Sequence, residues 1–331
     1  MAQTLEAGIW DFNKQLPTSI LEKSAELFNY FNANANGTIT LRDADFMGRF
    51  PQTGFFARRD TVARRDQTSS SARTLAGHSG SSFKEVVVSR AINDDQTVSG
   101  MKVQGVDPME YARALGANIA EDILENAFTT ALNAALGTTL KASTTYLNKS
   151  ALSSGYGITI DHCWDTMQLL GDHQQKIQGI FMHSKLATAL KKTLGASTAV
   201  GDSIGASVIR DDTLTGNFMR PVYVTDNAAL KVDATSSSGA YDTYRTLFLT
   251  NDAIGIEKMD TVAVQAYIDR AYVNATWSTT GEYELKARAK GFSYTGSGKN
   301  PADSAIITTT NWTQAATSVK HGPGAVLITR D

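Results

Sequence analysis

The chain has 331 residues, of which 42% are apolar, and a formal net charge of −2 at pH 7. This length allows a large core divided over two or three compact units, and the balanced charge excludes a strongly basic nucleic-acid binder or a polybasic membrane binder. No run reaches the roughly 18 apolar residues of a membrane span, and residues 1–10 lack the basic start and apolar run of a signal peptide. The single cysteine, Cys163, excludes an internal disulfide framework and fits a reducing compartment.

An arm and a short helix are predicted at the N-terminus. Ser19 and Glu22 are spaced as a capping box that opens a helix. Residues 1–15 show no helical pattern and carry the large side chains of Trp10 and Phe12, which an arm cannot bury alone. We interpret the arm as packing on another subunit with Trp10 and Phe12 as its anchors, although a tail folded on its own domain fits the sequence equally well.

Residues 51–106 are predicted to form a long hairpin that extends from the body. Its middle, Ser69–Ser82, is rich in serine and glycine and unsuited to a core, whereas Phe83–Ile92 has the composition of a strand. Aspartates interleave with the four arginines that precede this middle, which favours solvated or intersubunit ion pairs over a bare nucleic-acid patch. The hairpin residues predicted to contact neighbouring subunits are Arg58, Arg59, Arg64, Arg65 and Lys84.

One long helix is predicted from Asp107 to Gly137. Asp107 can cap the first free N–H groups, Pro108 suits the first helical position, and Glu110 stands where a capping-box partner would stand. Gly137 is predicted to end the helix. Apolar residues recur at helical spacing over about 29 residues, or roughly 43 Å, so this helix needs an equally long partner.

The next stretch, residues 138–255, is predicted to be an α/β unit with short strands. Its predicted helices are Ile160–Leu170 and Ser184–Leu194. Its predicted strands are Lys176–Met182, Ser207–Arg210, Pro221–Thr225 and Tyr244–Thr250.

The most regular alternation of apolar and polar residues lies in Thr261–Tyr294. A turn is predicted at Ser278–Gly281, between two arms of roughly 44 Å each. Because this length matches the long helix, we predict one elongated layer with the sheet under the helix. The resulting α+β subunit is extended, which suits a tile in an assembly.

One catalytic pattern occurs in the chain. The string Gly201-Asp202-Ser203-Ile204-Gly205 matches the G-x-S-x-G pattern of a nucleophilic serine. That pattern requires a buried strand before the serine and a helix after it, but Gly195–Ala199 is small and polar and Ser207–Arg210 reads as a strand. A serine hydrolase using Ser203 is therefore kept only as a second hypothesis, and a flexible loop is favoured.

Metal and cofactor sites are not predicted. The spacing of His162, Cys163 and His173 fits no common zinc pattern, and Cys163 falls on an apolar stripe, as a buried structural thiol does. The acidic pairs Asp94-Asp95 and Asp211-Asp212 lie in predicted turns and are assigned no cation. There is also no glycine-rich phosphate loop of the G-x-x-x-x-G-K type.

The order of these features resembles the major capsid proteins of tailed bacteriophages with the Hong Kong 97-type fold. Those proteins have an N-terminal arm, an extended loop, a spine helix, an axial domain and long peripheral strands, in that order. Four local strings add to the resemblance, which spans nearly the whole chain. They are Met182-His183-Ser184-Lys185, Met219–Asp226, Asn300-Pro301-Ala302-Asp303 and Asn311-Trp312.

The resemblance implies a shell subunit that forms hexamers and pentamers of itself around phage double-stranded DNA, in a virion assembled in the host cytoplasm. It divides the chain into an arm with a short helix (1–50), an extended loop (51–106), a peripheral domain (107–140 and 256–300) and an axial domain (141–255 and 301–331). The extended loop would lie over one neighbour and the arm under another.

The resemblance also implies further partners. Some members carry a long charged helical segment as a built-in scaffold, and this chain does not, so a separate scaffolding protein is expected, together with a portal and possible decoration protein. A nanocompartment shell of the encapsulin type has the same fold and would enclose cargo enzymes, and it remains the alternative.

Overall fold

The computed structural model describes residues 2–44, 52–56, 80–97, 107–152, 154–194, 203–205, 207–234, 241–259, 263–269, 276–316 and 318–330. The helices are α1 Ala2–Asn34, α2 Pro108–Thr139, α3 Ile160–Gln168, α4 Ser184–Leu194, α5 Asp212–Phe218 and α6 Asp303–Ile307. The strands are β1 Ile39–Asp43, β2 Gln52–Phe56, β3 Gly80–Lys84, β4 Val86–Thr97, β5 Tyr146–Asn148, β6 Ile177–His183, β7 Ser203–Gly205, β8 Val208–Arg210, β9 Val222–Thr225, β10 Lys231–Val232, β11 Thr243–Thr250, β12 Ile254–Lys258, β13 Ala263–Asp269, β14 Thr276–Ala289, β15 Phe292–Tyr294, β16 Trp312–Gln314 and β17 Gly324–Arg330.

The long strand β14 organises the first sheet. β12 and β13 pair with its two halves, and β4 pairs along almost its whole length, so β12 and β13 lie end to end on one edge and β4 on the other. The parallel strand β1 completes the sheet beside β12. The predicted turn at Ser278–Gly281 is wrong: β14 runs through it, because partners on both edges satisfy its backbone groups and override the local turn composition.

The predicted long helix is α2, and it covers the apolar face of this sheet as expected. Its second long partner is α1, where an irregular arm followed by a short helix was predicted. α1 continues through Pro17 because Phe12, Leu16 and Ile20 recur one turn apart and are fully buried in the core shared with α2. That burial outweighs the hydrogen bond that the proline removes.

Ser19 was predicted to cap a helix but lies inside α1. It faces Gly116 of α2 so closely that a Cβ added to Gly116 would be 2.8 Å from the Ser19 Cβ. The two long helices therefore approach each other at a pair of small residues.

The second sheet has eight strands in the order β5, β17, β11, β6, β9, β8, β7, with β10 beside β11. One face packs on the core that contains α1 and α2, and the other face packs on a separate apolar cluster formed with α3, α4 and α5. The helices and strands predicted in residues 138–255 are confirmed, and β17 from the C-terminal segment joins them in the same sheet.

The hairpin predicted in residues 51–106 is present at its base. Gln52–Phe56 pairs antiparallel with Gly80–Lys84 as a separate two-stranded sheet. The serine-rich middle up to residue 79 lies outside the described residues. The segment after this base differs from the prediction, because Val86–Thr97 belongs to the first sheet as β4.

A cluster of four aromatic rings, the junction cluster, joins the long helices to the second sheet. Phe128 of α2 lies 5.7 Å from Phe31 of α1 and 5.9 Å from Phe181 of β6, measured between ring centroids. Phe181 stacks on Tyr223 of β9 at 4.7 Å. The Tyr223 hydroxyl donates to the Asn34 carbonyl oxygen at 2.7 Å, and burial raises the pKa of Tyr223 to about 12.

Gly137 does not end α2, which continues to Thr139. A Cβ on Gly137 would lie 2.4 Å from the Ile306 carbonyl oxygen and 2.6 Å from Nε1 of Trp312. That indole donates to the same Ile306 oxygen at 2.7 Å. The glycine therefore lets the C-terminal segment pack directly on the helix.

We expect Gly137→Ala to lower the free energy of unfolding by about 1–3 kcal/mol, because the added methyl group overpacks a site with no room for it. Gly216→Ala is the matched control: Gly216 is an exposed helical residue with no atom within 4 Å of an added Cβ. That change should stabilise the subunit by about 0.5–1 kcal/mol. Denaturant unfolding of dissociated subunits measures both, and equal stabilities for the two variants would contradict the close packing at Gly137.

Candidate functional site

Exposed large apolar side chains are concentrated on one part of the chain. Among the described residues nine such side chains are exposed, and six of them lie between residues 141 and 255. These six are Leu152, Trp164, Ile209, Met219, Val232 and Tyr241. Single exposed apolar residues are ordinary, but neighbouring ones indicate a surface that binds another protein.

Trp164 and Met219 form the first such surface, the Trp–Met patch. Trp164 of α3 is 46% exposed, and its ring lies 6.3 Å from that of Phe218 at the end of α5. Met219 follows directly, is 92% exposed and has a left-handed backbone with φ of 52°. This conformation is unfavourable for a residue with a side chain, and Met219 adopts it as the C-terminal cap of α5.

Arg330 organises a second surface at the opposite end of the second sheet. Its guanidinium lies 4.0 Å from the ring centre of Tyr156 and 4.1 Å from that of Tyr241. Its Nη2 donates to the Leu152 carbonyl oxygen at 2.9 Å. Arg330 thus contacts the half-exposed Tyr241 through a cation–π interaction and the half-exposed Leu152 through a hydrogen bond to its backbone.

The polar face of the first sheet is occupied by ion pairs within the subunit. The predicted alternation along β14 is confirmed, with Tyr283, Leu285, Ala287 and Ala289 buried. Lys286 on the opposite face contacts the carboxylates of Glu85 and Glu257. Burial lowers the pKa of Lys286, but the two carboxylates more than offset this and the net shift is upward.

Of the residues predicted to contact neighbouring subunits, the structure buries Phe12 and exposes Lys84. Phe12 is fully buried in its own subunit and stacks on Tyr111 at 5.9 Å, so its side chain has no surface to offer a neighbour in this structure. Lys84 is exposed at the end of β3, and its backbone N–H donates to Oγ of Ser293 at 2.9 Å. Trp10 lies in α1, but its side chain is outside the described residues. Both the backbone and the side chains of Arg58, Arg59, Arg64 and Arg65 lie outside the described residues.

The strings that carry the family resemblance make contacts within the subunit. His183 and Ser184 both contact Asp226, which brings the first two strings together at the ends of the parallel strands β6 and β9. Sequence reasoning did not anticipate that these distant strings would meet, because nothing local in either indicates their pairing.

The third string fastens the C-terminal segment to β4. The Asn300 side chain accepts from the Ser89 N–H at 3.0 Å and donates to the Ser89 carbonyl oxygen at 3.2 Å, as a neighbouring strand would. Asp303 forms an ion pair with Arg90 at 2.6 Å. This pairing covers part of a sheet edge that would otherwise expose backbone groups.

The hydrolase hypothesis fails on geometry. Ser203 opens the short strand β7, and the next element is the strand β8 in place of the required helix. The Ser203 carbonyl oxygen instead accepts from the Tyr30 hydroxyl at 3.0 Å, which ties this loop to α1.

The cysteine and histidines have structural surroundings. Cys163 is fully buried in the apolar cluster with α3, and burial raises its pKa from 9.0 to about 12. Nδ1 of His162 contacts the Gly157 carbonyl oxygen at 3.1 Å, and the ring of His173 stacks on His321 at 5.0 Å. The part of the chain that the structure describes contains no group of three metal-ligating side chains. None of its helices is long and apolar enough to cross a membrane.

Comparison with known protein families identifies the chain. A family model described as Gp13-like, major capsid protein 13-like, matches residues 9–326. Because the match covers nearly the whole chain, the chain belongs to the major capsid protein 13-like family. It is a structural protein of the phage virion that assembles from copies of itself into an icosahedral head shell, and it is not an enzyme.

A solved capsid structure supports the fold. The capsid of Ralstonia phage GP4 matches with a TM-score of 0.52 and 9% identity, over 89% of this chain and 87% of that chain. This likeness confirms the predicted α+β, Hong Kong 97-type fold. A structure from Microbacterium phage Oxtober96 matches with a TM-score of 0.49 and 11% identity, over 87% of this chain and 88% of that chain. The Cyanophage Pam1 capsid matches with a TM-score of 0.48 and 11% identity, over 88% of this chain and 90% of that chain. None of the curated proteins matches this chain.

The environment of Cys163 predicts slow thiol chemistry. At pH 8 a thiol with a pKa of about 12 is ionised about a thousandfold less than one at the ordinary value of 9.0. Alkylation of the native subunit should therefore be at least about a thousandfold slower than in denaturant. Mass spectrometry after timed iodoacetamide treatment measures both rates, with Cys163→Ser as the control. Fast labelling of the native subunit would show an accessible or activated thiol.

Proposed function

We propose that copies of this chain form hexamers and pentamers that close into a shell around phage double-stranded DNA, with the axial domain at the capsomer axis. The observation that carries this arrangement is the concentration of exposed apolar side chains on residues 141–255. In hexamers and pentamers these residues would face the same region of neighbouring copies. A surface of this kind is stabilised when a second copy covers it.

We propose a division of the chain in which α2 and β14 belong to one domain and most strands of the second sheet belong to the other. We assign 107–140 with 256–300 to the peripheral domain and 141–255 with 301–331 to the axial domain. Of the extended loop, 51–106, the part before β4 would lie over a neighbour, with Lys84 at its base and Arg58, Arg59, Arg64 and Arg65 nearer its tip. Trp10 would contact a neighbour from the start of α1, which takes the place of the predicted irregular arm.

Many modest contacts suit the closure of a shell. Each subunit would touch several neighbours, so each contact that forms raises the effective concentration for the next. Assembly in the host cytoplasm would use a separate scaffolding protein and a portal, with a decoration protein as a further possible partner. The family match favours a DNA-filled head over a nanocompartment with cargo enzymes.

Electron microscopy with analytical sedimentation tests the proposal directly. Closed shells, or free hexamers and pentamers, are expected, and particles from infected cells should contain DNA. A species near the subunit mass of 35.6 kDa at every concentration, even with the phage scaffold present, would contradict it.

The Trp–Met patch gives a sharper test at one residue. Met219→Glu should reduce the yield of shells about tenfold or more, because burial of a methionine contributes about 1.5–3 kcal/mol and a buried carboxylate would oppose it. Asn217→Glu is the matched control, since it adds the same charge at another exposed residue of the same segment. Sedimentation of assembled particles measures both yields, and normal yield from Met219→Glu would exclude this patch from subunit contacts.

A further inference from the structure

A basic patch lies where the turns at one end of the second sheet meet the end of β14. Two carboxylates, Asp172 and Asp252, lie among its cations. The five cationic side chains of this basic patch are Lys176, Arg220, Arg288, Lys290 and Lys320. Five cations and two carboxylates give a formal charge of +3 with neutral histidines, on a chain whose net charge is −2.

Contacts within the subunit hold these charges in place. Lys320 Nζ lies 3.0 Å from an oxygen of Asp172, and Lys176 Nζ lies 3.4 Å from Nε2 of His173. Nδ1 of His173 in turn contacts the Lys320 carbonyl oxygen at 2.8 Å. Arg220 reaches the same turn through the Ile177 carbonyl oxygen.

The second half of the patch surrounds the turn between β11 and β12. Arg288 bonds both oxygens of Asp252, at 3.0 and 2.9 Å, and Lys290 Nζ donates to the Asn251 carbonyl oxygen at 2.6 Å. Burial lowers the pKa of Lys290, and the charges of Lys176 and Arg288 lower it further against the opposing effect of Asp252. The cations thus repel one another, and an anion from outside the subunit would relieve that repulsion.

The exposed side of α2 carries a complementary charge. Four acidic residues and Arg113 are exposed along its first half, which gives a formal charge of −3. The four acidic residues of this acidic face are Glu110, Glu121, Asp122 and Glu125. None of the five charged groups forms an ion pair within the described part of the chain. Glu121 and Glu125 stand one turn apart, where like charges destabilise a helix, so the helix too would gain from cations supplied from outside.

We propose that the basic patch of one subunit binds the acidic face of α2 in a second copy of the chain. The proposal rests on shell assembly as proposed above and names two surfaces that would meet in it. Contact between unlike surfaces joins copies head to tail, the geometry that generates rings. The equal and opposite charges would steer subunits together and fix their register. Enclosed nucleic acid could also bind the patch, but it would leave the unpaired acidic face without a partner.

Charge reversal on each surface tests the contact under conditions where the wild-type chain forms shells. Lys176→Glu with Lys320→Glu changes the patch from +3 to about −1, and Glu121→Lys with Glu125→Lys changes the acidic face from −3 to about +1. Each pair should reduce shell yield about tenfold or more near 0.1 M salt, with a smaller deficit near 1 M. A chain with all four changes restores opposite signs and should recover shells. Lys141→Glu with Lys192→Glu, two exposed lysines outside both surfaces, is the control with the same change in net charge.

The outcomes separate this contact from a folding defect and from nucleic-acid binding. Thermal melting of the dissociated subunits shows whether each variant folds, and the four-change chain keeps the test valid if one pair is less stable. Failure of the four-change chain to form shells, with its subunit folded, would overturn the proposal. Normal shells that retain less nucleic acid after Lys176→Glu with Lys320→Glu would also overturn it, and would assign the patch to the enclosed polyanion. Failure of the wild-type chain to form shells at all would count against the proposed function itself.

Discussion

The rest of the structure depends on the junction cluster, because it is where the two sheets share one core. Phe31 and Phe128 come from the two long helices, and Phe181 and Tyr223 come from adjacent strands of the second sheet. All four rings are fully buried. Aromatic rings bury large areas and prefer defined mutual geometries, so this contact fixes the position of the second sheet on the helices. The Tyr223 hydroxyl, bonded to the last turn of α1, satisfies the one polar group that the cluster buries.

Glycines set how closely the elements around this cluster can approach. A Cβ on Gly179 of β6 would lie 2.9 Å from a methyl carbon of Thr38 and 3.0 Å from the Tyr223 ring. Gly116 and Gly137 have the same role where α2 meets α1 and the C-terminal segment. In each case a side chain would push apart surfaces that otherwise bury their apolar area together, and a protein interior has little free volume to absorb it.

Much of the fold could be predicted from local patterns, and the errors have a common physical cause. α2, the helices and strands of the second sheet and the buried face of β14 follow from periodicity, since one face of each is buried whatever its partner is. The continuity of α1 through Pro17, the passage of β14 through Ser278–Gly281 and the position of Gly137 inside α2 depend on contacts with residues far away in sequence. Tertiary burial and two-sided pairing override local signals there. For the candidate site, the intersubunit contacts of the hairpin arginines and Lys84 stay predictions made from composition. The Trp–Met patch and the basic patch could not be predicted, because each requires side chains from separate elements to be brought together.

Some charged side chains are paired within the subunit and others are exposed without such a partner. This difference shows how the subunit can fold alone and still assemble. Lys286 on the polar face of the first sheet has its carboxylate partners Glu85 and Glu257 within the chain, and the buried Lys258 on the opposite face is paired with Asp43, so these charges are neutralised before any neighbour arrives. The acidic face of α2 has no such partners within the described residues. Exposed ion pairs are individually weak, so contacts of this kind select the partner and its register without making early, misplaced contacts irreversible. A shell closes correctly only if wrong contacts can dissociate. Interfaces built from modest apolar patches and solvated charges on a rigid junction meet that requirement better than one large apolar interface would.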